Sequence, residues 1–315
     1  MVIGIDLGGM SAKGALLSDG RLEGKSRVVT SASNTAEETA LALARLASET
    51  AEKAGKSMND VQAIGIGSPG VVNGADGTVV LWSNFGWRNV PLAALVRKYT
   101  GKPVFVLNDA NAAALGEAKF GAGKEYRDSL FLTIGTGIGS GVIIDGKLFE
   151  GYRSAGTELG HTVIRQDGEL CSCGRRGCLE RYASASALIR STQDMMRRTP
   201  DSLMWRFAPT VEEADGRTAF AAAREHDAAA QHVLDDFIAA LGEGIANFVN
   251  IFRPQAVVLG GGVSAEGETL LAPLRAYVYP RLYVSETYAP LDIRCAALGN
   301  DAGLYGAAQY AFERL

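Results

Sequence analysis

Two distant segments of this chain follow the same order of strand, glycine turn and strand. Residues 2–6 (VIGID) run through Leu7-Gly8-Gly9 into a strand at 13–18, and residues 129–134 (SLFLTI) run through the glycine turn 135–141 (GTGIGSG) into 142–144. A duplication of this kind predicts two similar α/β halves with a cleft between them. A length of 315 residues suits two ordinary domains or one large one.

Between the two turns the pattern is strand at 26–31, helix at 35–54 capped by Asn34 or Thr35, buried strand at 61–67, helix at 91–100 opened by Pro91, strand at 103–107, and an alanine-rich helix at 109–119. Beyond the second turn, helices are expected at 183–198, 227–252 and 301–313, the last capped by Asp301, with a strand at 256–259. Residues 199–226 are the least regular part and read as a partly helical insertion. Two lookalikes are set aside. Gly65-Ile-Gly-Ser-Pro-Gly70 has dinucleotide spacing, but Pro69 and Val71-Val72 favour extended chain where that fingerprint needs a helix. Ala122-Gly-Lys124 lacks the upstream glycine of a P-loop and has Glu125 where a hydroxyl is required.

With 47% hydrophobic and 21% charged residues the chain is globular, and a net charge of −4 argues against nucleic acid as partner. No apolar run reaches membrane-spanning length. The chain opens directly on a strand, without a basic region or cleavage site, so a cytoplasmic location is expected.

Three of the four cysteines, Cys171, Cys173 and Cys178, fall within eight positions, and His161 precedes them. One imidazole and three thiolates complete a tetrahedral zinc site, and a site closed by four protein ligands is structural rather than catalytic. Gly174 and Gly177 allow the tight turn. The alternative is a disulfide, which would leave one cysteine over. Glu158 and Glu180 flank the loop, either as ligand-holding groups or as solvated surface carboxylates.

Three glycine turns each follow an apolar strand: Asp6-Leu-Gly8-Gly9-Met-Ser11-Ala-Lys13, Gly135-Thr136-Gly137-Ile-Gly139, and Gly260-Gly261-Gly262-Val-Ser264. Successive amides in such turns can form an anion nest. Ser11, Thr136 and Ser264 add hydroxyls, Lys13 could meet a phosphate, and Asp6 suits a magnesium ion between carboxylate and phosphate. Plain hairpin turns are the alternative for any one of them; three together favour a nucleotide. Asp109 opens a helix, where its ordinary role is an N-cap. Its other possible role is a base, kept ionised by the helix N-terminus.

With these residues in hand, the chain resembles the ROK family of bacterial sugar kinases and repressors, which share the hexokinase/actin-like fold. The likeness rests on DLGG with Lys13, Gly67-Ser-Pro-Gly70, Asn108-Asp109, IGTGIGSG, Glu158-Leu-Gly-His161, CSCGRRGC with Leu179-Glu180, and GGGVS, in family order. Asn84-Phe-Gly-Trp87, Asn89-Val-Pro91, Glu180-Arg-Tyr-Ala-Ser184 and Leu298-Gly-Asn-Asp-Ala-Gly303 resemble the family's glucokinases in particular.

The resemblance implies an α/β, two-lobed actin-like/hexokinase (ribonuclease H-like) fold with duplicated domains and an interdomain cleft. The expected division is 1–116, with the 301–315 helix packing back, and 117–300, carrying the zinc loop 158–180. It implies ATP-dependent phosphorylation of a hexose at the 6-hydroxyl, most of all glucose. Asp109 would be the catalytic base. Asn108, Glu158, His161 and Glu180 would bind sugar hydroxyls, with Gly70 and Asn84 lining the pocket. Gly8, Gly9, Thr136, Gly137 and Gly260-Gly261-Gly262 would hold ATP, with magnesium at Asp6. His161 would bind zinc through one ring nitrogen and touch sugar with the other, and a homodimer is implied. Met10 stands where the family has threonine, removing a hydroxyl expected near the phosphates. Kinases for N-acetylmannosamine, N-acetylglucosamine, fructose or allose would share nearly all these residues. The family's repressors carry a helix-turn-helix ahead of the first strand; with that strand beginning at Val2, none is expected here.

Overall fold

The structure is a computed structural model that describes residues 1–315. In chain order the elements are β1 (Val2–Leu7), β2 (Ser11–Ser18), β3 (Arg21–Val29), α1 (Ala36–Lys53), β4 (Ala63–Ser68), β5 (Val71–Asn73), β6 (Thr78–Trp82), β7 (Trp87–Val90), α2 (Leu92–Thr100), β8 (Val104–Asn108) and α3 (Asp109–Phe120). Then follow β9 (Ser129–Ile134), β10 (Ile138–Ile144), β11 (Lys147–Phe149), α4 (Glu180–Ala183), α5 (Ala185–Arg198), α6 (Met204–Phe207), α7 (Thr218–Arg224), α8 (Ala228–Phe252), β12 (Ala256–Gly260), α9 (Glu268–Val278), β13 (Asp292–Cys295) and α10 (Ala302–Phe312). No helix is long and apolar enough to cross a membrane.

Two five-stranded sheets have the orders β3-β2-β1-β4-β8 and β11-β10-β9-β12-β13, the same pattern twice, as the repeated strand–turn–strand predicts. A third sheet, β5-β6-β7, was not foreseen. The chain contacts divide into two compact units, one of residues 1–131, 141–157 and 297–315 and one of 132–140 and 158–296. This differs from a boundary at 116/117. The reason lies in α3, whose Ala114 packs so close to Gly141 that an added Cβ there would lie 2.4 Å from the Ala114 Cβ. Glu117, fully buried on the same helix, also accepts hydrogen bonds from the amides of Ala122, Ala297 and Leu298 at 2.8, 3.0 and 2.7 Å.

In the first unit β1 runs antiparallel to β2 and parallel to β4, which runs parallel to β8. Their apolar residues (Ile3, Ile5, Leu7, Ile64, Ile66, Val106) form a core with Leu43 and Leu46 of α1. α1 begins at a complete capping box: the Thr35 amide donates to Glu38 Oε2 at 2.7 Å and the Glu38 amide donates to Thr35 Oγ1 at 3.2 Å. α10 lies against the sheet and α3 at backbone-contact range. A Cβ on Gly65 would lie 1.8 Å from the Ala307 carbonyl oxygen, and one on Gly306 would lie 1.6 Å from that of Ala112. Glycine at these positions is a condition of the packing.

Several local expectations are corrected. Asp301 occupies the N-cap position of α10, but its side chain makes no capping bond; its carboxylate pairs with Lys25 at 2.6 Å, and a 3₁₀ turn (Gly299–Asp301) leads into the helix. The helix expected at 183–198 is α5, which begins two residues later at Ala185; Ser184 separates it from the short α4 and caps it, its hydroxyl accepting from the Ala187 amide. β10 starts at Ile138, so the second glycine turn is shorter than its sequence suggests. Residues 199–226 contain α6, α7 and a 3₁₀ turn (Val211–Glu213).

Candidate active site

Parallel strands deliver their carboxyl ends to one edge of a sheet, and ligands of open α/β sheets bind there. In the first unit β1, β4 and β8 end side by side, with Asp6 paired to Gly67 and Ser68 paired to Asn108 in register. Asp6, Gly70, Asn108 and Asp109 therefore gather at one edge. Lys13 stands directly across from Asp6 on β2.

The first turn of α3 settles the question of the cap. Asn108 is the N-cap: its Oδ1 accepts from the amides of Ala110 and Asn111 at 2.9 and 3.1 Å, and its Nδ2 donates to the Gly70 carbonyl at 3.1 Å. Asp109 is thus not the cap; its carboxylate accepts from the Ala110 amide at 2.8 Å and keeps part of its surface accessible. Burial pushes the Asp109 carboxyl above the usual carboxylate range, against the opposing bonds from Ala110, its own amide and Asn108. Asp6 is raised as well: burial is the main cause, Lys13 opposes it, and the charge of Asp109 adds to it. Asp6 accepts no hydrogen bond from the protein. A half-buried carboxylate with an unfilled shell beside a second carboxylate fits a hard divalent cation.

Around these carboxylates the glycine turn after β1 is closed by the Gly8 amide donating to the Ser11 carbonyl at 3.0 Å. A Cβ on Gly9 would meet nothing within 4 Å, so the fold leaves open space there. Met10 is 82% exposed. Asn84 sits in a 3₁₀ turn (Ser83–Phe85) whose flanks are pinned by Trp82, Phe85 and Trp87, with ring centroids 3.8–5.5 Å apart. Asn84 itself is exposed.

The second unit brings together the remaining candidates. β9 and β12 are neighbours, so Gly135-Thr136-Gly137 and Gly260-Gly261-Gly262 lie at adjacent strand ends. Gly261 has φ +84° and its Cα packs against Ile134, where a Cβ would lie 2.3 Å from the carbonyl oxygen. A Cβ on Gly135 or Gly262 would meet nothing, an open cradle of the kind a phosphate needs. The hydroxyls of Ser11, in the first unit, and Thr136 make no hydrogen bond within the chain. Ser264, expected to offer a hydroxyl, instead donates it to the Gly261 carbonyl at 2.7 Å.

His161, Cys171, Cys173 and Cys178 converge, their ligand atoms all within 4.8 Å of one another. Cys173 and Cys178 Sγ are 3.7 Å apart and Cys171 Sγ is 3.6 Å from His161 Nδ1. All four cysteines of the chain are free thiols in this structure. Zinc with sulfur at about 2.3 Å and nitrogen at about 2.0 Å has tetrahedral edges of roughly 3.5–3.8 Å, so the donor set fits the ion. With Nδ1 turned inward, Nε2 is the nitrogen left for another partner. Burial, followed by the neighbouring thiols, pushes Cys178 up to about 12, and a bound cation would reverse that. Cys173 is lowered, chiefly by the Arg175 amide.

Glu158 is exposed and begins the 3₁₀ turn Leu159–His161, while Glu180 is no surface carboxylate. Its Oε2 accepts from the Ile138 amide at 3.0 Å and its Oε1 lies 3.9 Å from Cys171 Sγ.

A profile of the ROK family matches residues 2–314. The chain belongs to the ROK family. It is 38% identical to a glucokinase of Thermotoga maritima, over all of this chain and 98% of that one. Among solved structures it is similar to a ROK family glucokinase from Streptomyces griseus in complex with glucose and AMPPNP, at 37% identity and TM-score 0.83 over 99% of both chains. It is also similar to a ROK hexokinase from Thermus thermophilus, at 34% identity and TM-score 0.81 over 99% of this chain and 98% of that one. The α/β actin-like fold expected from the motifs is the fold of this ROK chain. What the motifs did not signal was the capping work of Asn108, the commitment of Ser264 to its own turn, and the bond from Ile138 to Glu180.

Proposed function

We propose that this ROK protein is a glucokinase that transfers the γ-phosphoryl group of ATP to the 6-hydroxyl of glucose. One observation carries the assignment of the base: Asn108 caps α3, which frees the Asp109 carboxylate from that task and leaves part of its surface open with Asp6 beside it. Asp109 accepts the 6-hydroxyl proton as that oxygen attacks the γ-phosphorus. The new oxygen–phosphorus bond forms as the bond to the β,γ-bridging oxygen breaks, and ADP departs with that electron pair. Phosphoryl transfer relies mainly on positioning and charge stabilisation, so a carboxylate suffices as base. A pKa moved toward neutrality makes it a better one.

Asp6 would hold magnesium, which supplies charge neutralisation to the phosphates. Gly8, Gly9, Ser11, Lys13, Thr136, Gly137 and the Gly260–Gly262 turn hold the nucleotide; the open faces of Gly9, Gly135 and Gly262 support this. Gly70, Asn84, Asn108, Glu158, His161 and Glu180 hold the sugar. His161, Cys171, Cys173 and Cys178 would hold a structural zinc, leaving His161 Nε2–H to donate to a sugar hydroxyl. The same reading places the enzyme in the reducing cytoplasm, where thiolates persist, as the homodimer that the family likeness implies.

The test is Asp109→Ala, with glucose binding followed by calorimetry and turnover by coupled ADP release. Turnover should fall by about 10²–10⁴ while glucose affinity changes little; retained turnover removes Asp109 as base. The same assay across glucose, fructose, allose and the N-acetylated hexosamines tests the sugar, and a higher kcat/KM for any sugar other than glucose overturns that part.

A further inference from the structure

The loop that carries the cysteine cluster is sewn to the glycine turn after β9. The Leu159 amide donates to Ser140 Oγ at 3.1 Å, the Ala185 amide donates to the Gly135 carbonyl at 2.9 Å, and the Ile138 amide donates to Glu180 Oε2 at 3.0 Å. Gly160 lies flat on Ile138, where a Cβ would come within 2.3 Å of the carbonyl oxygen. Gly137 does not have the positive φ that would demand glycine on conformational grounds. Its hydrogen face is instead filled by the Glu180 carboxylate, since a Cβ there would lie 2.2 Å from Oε2. Gly135, two residues earlier, faces open space. The two glycines therefore serve different ends: one leaves room for a ligand, the other for Glu180.

We propose that Glu180 is a positioning residue for the nucleotide: its Oε2 locks the Gly135–Ser140 turn onto the cysteine loop, so that this loop sets ATP affinity independently of any contact with sugar. The proposal rests on the reading above that the turn holds ATP phosphates. A turn that gathers phosphates works best when its amides are already ordered, because ordering it on binding subtracts from affinity. Of the three bonds to the turn, the one from Ile138 alone goes to a carboxylate, and a charged acceptor makes it the strongest. It also comes from the first residue of β10, where the turn becomes strand. Glu180 follows Cys178 by two residues, so the loop and the latch move as one piece.

The decisive measurement is AMP-PNP affinity without sugar. Glu180→Ala should weaken it roughly tenfold or more, the worth of one hydrogen bond to a charged group. It should also speed hydrogen exchange at the Ile138 amide by a similar factor. Glu180→Gln, which keeps an acceptor for that amide, should restore both to within a few-fold of wild type. A residue that only touches sugar would change neither, so unchanged AMP-PNP affinity and Ile138 exchange in Glu180→Ala overturn the proposal. Should Glu180→Ala fail to fold, Gly137→Ala provides the second route, since its methyl group displaces the carboxylate. Slower or unchanged Ile138 exchange in that variant is equally fatal. Absence of AMP-PNP binding in the wild-type protein would instead refute the nucleotide reading of the turn, and Ile138 exchange would still judge the latch.

Discussion

Replacing Gly306 with alanine should force α10 away from α3 and carry Asp109 out of place. The new Cβ would lie 1.6 Å from the Ala112 carbonyl oxygen and 2.8 Å from the Gly116 nitrogen. Carbon and oxygen approach to about 3.3 Å, so the two backbones must part by roughly 1.5 Å. Both obstructing atoms are backbone, so no side chain can swing aside. α10 is also seated on the sheet, where Cβ atoms on Gly4 and Gly65 would lie 2.1 and 1.8 Å from its carbonyl oxygens, which fixes its height. Against this, alanine in a helix interior gains up to about 1 kcal/mol over glycine. Overpacking costs about 1–3 kcal/mol when side chains can adjust, and backbone opposing backbone belongs at or above the top of that range. A net loss of about 2 kcal/mol is expected, enough to lower the thermal midpoint by several degrees. Ala112 lies one turn beyond Asp109 on α3, and with Asp109 as the proposed base a displacement of about 1 Å can cost on the order of 10² in rate. Circular dichroism melts and kcat at saturating glucose and ATP measure the two effects, with Gly216→Ala, where a Cβ meets nothing, as control. A Gly306→Ala protein as stable as wild type, with unchanged kcat, would refute the close approach of α10 and α3.

The raised pKa of Asp109 sets two pH dependences. With Asp109 as the proposed base, acting as carboxylate, kcat/KM should fall with acid at a pH above the ordinary carboxylate range; a limb at an ordinary carboxylate pKa would contradict the burial. Folding binds the Asp109 proton more tightly, so its charge costs stability above the raised value and nothing below the ordinary one. Asp109→Asn should therefore be more stable than wild type near neutral pH, with the advantage vanishing as the medium is acidified; denaturant midpoints against pH measure it. Purified wild-type protein should contain about one zinc per chain by elemental analysis and Cys173→Ala little, since three ligands bind far less tightly than four. Metal-free wild-type protein would end the zinc reading.

Features decided by neighbours along the chain were legible in the sequence. The ligand set of His161 and three cysteines spans one loop, and the donor geometry follows once that loop folds. Thr35 and Glu38 form a capping box three residues apart. The repeated strand–glycine–strand order marked two equivalent sheets because alternation and turn chemistry are local properties. Expectations failed where a local rule met a distant partner. Asp109 opens α3, yet Asn108 takes the cap because the Gly70 carbonyl holds its amide in place. Asp301 stands where a cap belongs but pairs with Lys25, far away in sequence.

Glu117 and Glu180 show the same division most clearly. As letters they are two charged helical residues of the kind that usually face water. The tertiary structure buries Glu117 under amides from residues 122, 297 and 298, and presses Glu180 onto Gly137. The sequence by itself determined the turns, the clustering of His161 with three cysteines and the strand ends, because period, spacing and glycine act over a few residues. Only the folded chain decided which carboxylates are buried, bonded to amides or left partly open, because that is set by the groups that packing brings from far along the sequence.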